Sequence, residues 1–438
     1  MPFSVGAVSL GCNKNRVDTE TALGLLRDRG FQIVSDPAAA DILLVNTCGF
    51  IDPAKEESIN TILEMAEYKK TGRCRLLAVT GCLSQRYEKD LMEEIPEIDL
   101  LLGVNQYASL PDRILEALQG VRIHACQDDY SYFEHDRVLT TPSYSAYIRI
   151  GEGCSNRCTF CAIPLIRGPY RSRDEEQILR EARQLASRGA REQILVAQDT
   201  TRWGTDGGGH SRLPRLMRRI AEIPGIDWLR VLYCYPDETS DELLDVLAGT
   251  PNICPYLDIP IQHIHPELLK RMHRRGTRED ILRCVRGAKE RGLTLRTTMI
   301  VGFPGETEEQ FRDLLDFVSE AEFDRLGAFA YSPEEGTPAA RMPDQIPEEV
   351  KQERLDRLMK AQMKISHQQN LRRVGSVEKV LVTDASAEGK ALGRSCREAP
   401  ETDGEIVFSF RDRKPETGSF VSVKITEAGT YDLMGEMI

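Results

Sequence analysis

The chain has 438 residues, 29% of them charged, and a formal charge of −12. That length exceeds one compact core, so two or three domains are expected. No apolar run is long enough to cross a bilayer as a helix. The N-terminal stretch lacks a basic start followed by an apolar segment, which points to the cytoplasm. Twelve cysteines in a reducing compartment argue against a disulfide framework and favour metal ligation or catalysis for those that cluster.

Up to about residue 135 strand-like and helix-like runs alternate. Phe3–Leu10, Asp41–Thr47 and Arg75–Thr80 read as strands, and Asp18–Arg29 reads as a helix closed by Gly30. This is the pattern of an open parallel sheet with helices on its faces. Three of its apolar runs lead into a thiol: Cys12, Cys48 and Cys82. Loops leaving the carboxyl ends of such strands gather ligands, so three cysteines far apart in sequence can converge there. The competing reading is three buried cysteines that only pack. Cys74, Cys126, Cys234, Cys254, Cys284 and Cys396 have no partner spacing and read as structural.

Tyr130–Ser145 is polar and aromatic and reads as a linker. A second series follows, with strands at Ala146–Ile150, Gln193–Ala197, Trp228–Tyr233, Tyr256–Ile261, Leu295–Val301 and Arg325–Tyr331 and helical runs between them. Six βα units suggest a partial (β/α)6 barrel with its chemistry at the C-terminal ends of the strands. Gln362–Asn370 reads as the end of a helix. Val377–Thr383, Ala391–Ser395, Glu405–Phe410 and Phe420–Thr426 read as strands of a small antiparallel OB-like barrel. The fold class is therefore α/β with three domains, 1–135, 136–370 and 371–438.

The segment GEGCSNRCTFCAIP carries Cys154, Cys158 and Cys161 just past the first strand of the six-unit series. Three thiolates on one short loop cannot close a four-coordinate zinc site alone. They can hold three irons of a 4Fe–4S cluster and leave the fourth open. A zinc loop completed by a distant His or Cys is the alternative.

This C-x3-C-x2-C loop, with Phe160 before its last cysteine and a six-unit βα series behind it, resembles the radical S-adenosylmethionine superfamily. Three N-terminal cysteines, the loop and a terminal β-barrel together are similar to its methylthiotransferases, and the likeness spans essentially the whole chain. It implies two 4Fe–4S clusters, one on Cys154, Cys158 and Cys161 and an auxiliary one on Cys12, Cys48 and Cys82. It implies S-adenosylmethionine as both methyl donor and radical source, and a TRAM-like terminal domain that binds substrate. It also implies an electron donor such as flavodoxin or ferredoxin.

Members act either on a transfer-RNA adenosine or on the β-carbon of an aspartate in the S-twelve protein of the small ribosomal subunit. SLGCNKNRVDTE, VAQDTTRWGTD and GRSCREAPETDGEIV resemble the ribosomal-protein branch; Gln198 and Asp199 stand where the RNA enzymes show Gln-Asn. Asn13 departs from the proline expected there. Residues 371–438 hold ten Lys and Arg against twelve Asp and Glu. That balance suits a basic protein partner and does not favour direct nucleic-acid binding.

No side-chain acid–base pair is nominated as catalytic beyond the cluster ligands. Phe160, Gln198, Asp199, Gln262, His263 and Gly302 are the candidate cofactor contacts, with His263 equally readable as a core histidine. Arg167, Arg171 and Arg173 read either as carboxylate-binding forks or as solvated surface. A zinc-stabilised ribosome-binding module without turnover is the reading from a different class.

Overall fold

The computed structural model describes residues 3–127, 134–386, 389–411 and 413–438. The N-terminal sheet has six parallel strands: β1 Ser4–Ser9, β2 Gln32–Ile33, β3 Ile42–Thr47, β4 Leu76–Gly81, β5 Leu100–Leu102 and β6 Ile123–Ala125. Their order is β2-β1-β3-β4-β5-β6. β3 and β4 are buried throughout because helices cover both faces. Leu23, Leu26 and Ile114 pack on one side, Ile62 and Met65 on the other. β2, β5 and β6 are too short to have shown as alternating runs. The first helix spans Asn13–Asp28, five residues earlier than expected, because the polar NKNRV segment is helical and largely buried.

Residues 130–133 of the expected linker lie outside the described residues. The part that follows is docked rather than free. Arg137 is buried, pairs with Glu20 and Glu181, and donates to the Tyr147 carbonyl.

The central wall is built from β7 Ser145–Arg149, β10 Glu192–Val196, β11 Trp228–Val231, β12 Tyr256–Gln262, β13 Thr294–Val301 and β14 Arg325–Ala330. They form two parallel sheets, β11-β10-β7 and β12-β13-β14, leaving β7 and β14 as edges of an incomplete barrel. A short antiparallel pair, β8 Gly151–Glu152 and β9 Arg171–Ser172, brackets the Cys154–Cys161 loop. The expected helices lie between the strands. Thr307, not Glu306, caps helix Glu308–Ala321 through a capping box with Gln310. The helix glimpsed at Gln362–Asn370 is the end of a 24-residue helix, Glu348–Leu371, that packs along β14.

The C-terminal module is a closed five-stranded barrel: β15 Val377–Asp384, β16 Lys390–Arg394, β17 Ile406–Ser409, β18 Phe420–Ala428 and β19 Leu433–Met437. β19 was not expected. The barrel sits against the N-terminal ends of the central strands. Arg394 pairs with Glu192 at 2.7 Å, the Tyr256 hydroxyl donates to Asp403 at 2.6 Å, and Trp228 meets Phe420 edge-on at 4.7 Å.

Much of the module's acidic charge is spent here. Glu398 pairs with Arg373 and Arg325, Glu378 with Arg373, Asp403 with Arg296 and Glu401 with Arg16. Arg372, Lys379 and Arg394 are committed in turn to Glu322, Asp227 and Glu192, so docking leaves the module's balance of charge as it was.

Burial alone would raise the Glu398 carboxyl, but Arg373 and Arg325 outweigh it and hold it at about 2, below its ordinary 4.5. A lowered carboxylate contributes stability that is present above its unfolded value and lost as pH falls through the folded one. The expected outcome is a loss on the order of 3 kcal/mol of stability between about pH 5 and pH 2, absent in Glu398→Gln. Denaturant unfolding across that pH range checks it.

Candidate metal centres and substrate cleft

β1, β3 and β4 are neighbours in the sheet, so the loops that leave them emerge side by side. Those loops carry Cys12, Cys48 and Cys82. Gly11 sits at φ +80°, and a Cβ there would stand 2.7 Å from Cys48 Cβ and 2.9 Å from its sulfur. Only glycine lets Cys48 close against the residue before Cys12. A Cβ on Gly49 would in turn stand 2.8 Å from the backbone of Leu83.

Asn15 knits these loops together. Its amide donates to the carbonyls of Leu10 (2.9 Å) and Thr47 (2.8 Å), and its Oδ1 lies 3.8 Å from the Cys82 sulfur. The three thiols are within electrostatic range of one another. Burial and the nearby Cys82 push Cys48 up to about 12. Burial acts the same way on Cys12, but Lys14, Arg167 and the amides of Asn15 and Lys14 at the helix N-terminus outweigh it and hold that thiol low. Cys12 itself is exposed although protein surrounds it, so it borders a recess.

The second group is one loop. The Cys154 amide donates to Gly168 (3.0 Å), that of Cys161 to Cys158 (3.1 Å), and that of Thr159 to Met272 (3.0 Å). Arg274 places Nη1 3.6 Å from the Cys158 sulfur. Burial raises Cys154 to about 11.

The two groups adjoin: Cys82 packs with Val104 against Ala162 and Ile166, directly after Cys161. Between them lies a buried ionic quartet. Arg167 pairs with Asp18 (2.8 Å) and Glu152 (3.0 Å), Arg149 with the same two carboxylates, and Arg167 also donates to Asn15 Oδ1 at 2.8 Å. Arg167 is thus neither surface nor free. Arg173 is likewise buried, pairing with Glu134 and Glu181, and Arg171 is half-buried and donates to the Pro169 carbonyl.

Among the described residues no three His, Cys, Asp or Glu side chains are spaced to grip a single ion. A cluster holds its thiolates further apart than one ion does, and two sets of three thiols suit that. Polar atoms are also left over beside the loop. Gln198 Oε1 and Asn156 Oδ1 are buried with no protein partner, while Gln198 Nε2 reaches Glu152 at 3.3 Å and Asn156 Nδ2 reaches Asp199 at 2.9 Å. Burial raises the Asp199 carboxyl against its bonds from Thr201 and Asn156.

Gln262 ends β12 at φ +75°, next to a register shift. His263 is buried, accepts the His265 amide on Nδ1 at 3.0 Å, and is driven down to about 3 by burial, which keeps it neutral. Gly302, at φ +71°, gives its amide to Glu306 at 2.9 Å, and a Cβ there would collide with the Lys351 side chain. Its open face is therefore filled by the long helix.

A cleft of about 590 Å³ opens beside the loop, lined by Phe50, Pro53, Phe160, Gln262, Phe329 and Glu334 among others. Phe50 lies two residues past Cys48, and both Phe50 and Phe329 are exposed at its rim. Glu334, buried, pins the cleft floor by pairing with Lys55 (3.0 Å) and Arg86 (2.9 Å) of the N-terminal domain. Sequence reasoning missed Asn15, Asp18, Arg149, Glu152 and Glu334. The signal for the first two was present: polar residues at i and i+3 at the start of a helix whose inward face is buried.

Residues 4–103 match the Uncharacterized protein family UPF0004, 148–318 the Radical SAM superfamily and 374–438 the TRAM domain. The fold is similar to a radical S-adenosylmethionine methyltransferase, TsrM, from Kitasatospora setae, with TM-score 0.58 and 17% identity over 89% of this chain and 82% of that one. Ribosomal protein uS12 methylthiotransferase RimO from Desulforamulus reducens is 50% identical over 99% of both chains. The protein of that name from Heliobacterium modesticaldum is 48% identical over 100% of this chain and 96% of its own. With about half its residues shared along its whole length, this chain belongs to the RimO family of ribosomal protein uS12 methylthiotransferases.

Proposed function

We propose that this chain methylthiolates the β-carbon of an aspartate in ribosomal protein uS12, using S-adenosylmethionine and two 4Fe–4S clusters. The observation that carries the reading is the packing of Cys82 on Ala162 and Ile166, which sets one three-thiol group beside the other. Cys154, Cys158 and Cys161 hold one cluster; Cys12, Cys48 and Cys82 hold the second. When bound, these groups supply the electron, the sulfur and the hydrogen abstraction that an unactivated C–H bond demands.

The chain's own residues orient and enclose. Gln198 and Asn156 offer unpartnered acceptors to the amino end of S-adenosylmethionine, and Asp199 fixes Asn156. Phe160 and Gln262 line the cleft through which a protein loop reaches the centre, and His263 is buried directly after Gln262. Residues 1–135 carry the auxiliary cluster, 136–370 the radical core and 371–438 the substrate-binding barrel. A flavodoxin- or ferredoxin-class donor supplies electrons.

Anaerobic reconstitution of the wild type should load about eight irons, and the variant with Cys12, Cys48 and Cys82 all changed to Ala about four. The wild type given reductant, S-adenosylmethionine and both substrates should add a methylthio mass to uS12. A methylthio group found only on transfer RNA overturns the substrate, and zinc without sulfide overturns the chemistry. Arg167→Met leaves Asp18 and Glu152 sharing Arg149 alone and should cost about 3–5 kcal/mol in denaturant unfolding.

A further inference from the structure

Lys14 extends from the first turn of helix Asn13–Asp28 into the central barrel. It is only 7% exposed, and its ammonium stands 3.4 Å from the centre of the Tyr233 ring. Among the described residues no carboxylate forms an ion pair with it. Asp258, the barrel carboxylate within its electrostatic range, is committed elsewhere: Oδ2 accepts the Tyr233 amide at 2.9 Å and Oδ1 accepts Arg296 at 3.1 Å. The Tyr233 ring and the nearby Cys12 thiol offset part of the cost of burying an ammonium, and a carboxylate is what completes the site.

Tyr233 is itself unusual. It is a bulky residue at φ +63°, just past β11, held there by bonds from Thr200 to its carbonyl and from its amide to Asp258. Backbone strain of this kind persists where surrounding structure over-determines it, and functional sites collect it.

The location is specific. Lys14 is two residues past Cys12. Tyr233 is two residues before Tyr235, whose ring lies 4.3 Å under Arg274, and Arg274 reaches the Cys158 sulfur. The ammonium thus lies beside the Cys12 group and rests on a segment, Tyr233–Tyr235, whose other end is tied through Arg274 to the Cys158 sulfur. An aspartate presents its carboxylate one bond from the reacting β-carbon.

Resting on the uS12 reading, we infer that Lys14 is the substrate-binding residue that receives the aspartate carboxylate and places the β-carbon between the two centres. It selects an acidic side chain over a nucleobase, which offers no anion at that distance. A second carboxylate, on the methionyl part of S-adenosylmethionine, has the same chemistry, and the two sources are separable by experiment.

The test uses reconstituted full-length wild type, Lys14→Gln and Lys14→Arg. Iron and sulfide content, KM for S-adenosylmethionine, its substrate-free reductive cleavage, and kcat/KM on uS12 are measured for each. Lys14→Gln is expected to lose roughly a hundredfold in kcat/KM on uS12, with Lys14→Arg recovering part of it. Iron content and KM for S-adenosylmethionine should stay within about twofold.

A uS12 variant with Asn at the modified position should react poorly with wild type, and Lys14→Gln should shrink the gap between the Asp and Asn substrates. A raised KM for S-adenosylmethionine with unchanged uS12 kinetics assigns Lys14 to the methionyl carboxylate and overturns the inference. Iron loss in both variants overturns it in favour of cluster support. An inert wild type defeats the functional reading and this inference with it; an active wild type matched by Lys14→Gln defeats the inference alone.

Discussion

The two thiol groups come from domains with separate cores, and what fixes one against the other is the buried quartet Asp18, Glu152, Arg149 and Arg167. Two carboxylates and two guanidinium groups sum to zero, so no net charge is buried. Burial still works against each: it would raise the Glu152 carboxyl, and only Arg167, Arg149 and the Gly153 amide bring it to about 2. A hydrophobic contact of the same size would tolerate sliding. Forked guanidinium–carboxylate pairs tolerate little, because each donor must meet its acceptor in direction as well as distance. The quartet thereby trades stability for register. Asn15 extends that register to the sulfurs, since one side chain ties the ends of β1 and β3 and accepts from Arg167.

The far end of the barrel obeys the same logic with a different partner. The N-terminal ends of the central strands present Glu192, Trp228, Tyr256 and Arg325, and the C-terminal barrel covers all four. Its loop around Glu401 reaches up to Arg16 on the first helix at 2.6 Å. The terminal module is therefore a plug for the bottom of the central wall. Acidic and basic side chains of the module serve this seam alike, Glu398, Asp403 and Glu401 among the first and Arg372, Lys379 and Arg394 among the second.

The sequence made some of this legible and hid the rest for physical reasons. β3, β4 and the six central strands announced themselves because fully buried strands are continuous apolar runs. The thiol groups were legible because spacing and strand ends are local facts. The short strands β2, β5 and β6 were not, since two or three residues carry no period, and β19 was missed with them. Arg167 and Glu152 were hidden for a deeper reason. A charged residue reads as surface unless its partner is known, and Asp18 lies far away in the chain. Gly302 has a second reason for its glycine that the sequence did not show: a Cβ there would collide with Lys351 of the long helix.

The remaining constraint is access. A partial barrel leaves a gap between β7 and β14, and the N-terminal domain occupies the β7 side of it through helix Asn13–Asp28. On the β14 side, Glu334 accepts Lys55, Arg86 and the Asp52 amide, so the loop after β14 is fastened to the auxiliary domain as well. Between Phe50 and Phe329 a cleft of about 590 Å³ stays open. That space admits one extended loop and not a folded domain. A cleft of that size, with Phe50 and Phe329 exposed at its rim, has the dimensions of a protruding turn and a single inward side chain. The same fastening ties the β14 side of the wall to the N-terminal domain, so it acts with the quartet to hold the two thiol groups at a fixed separation.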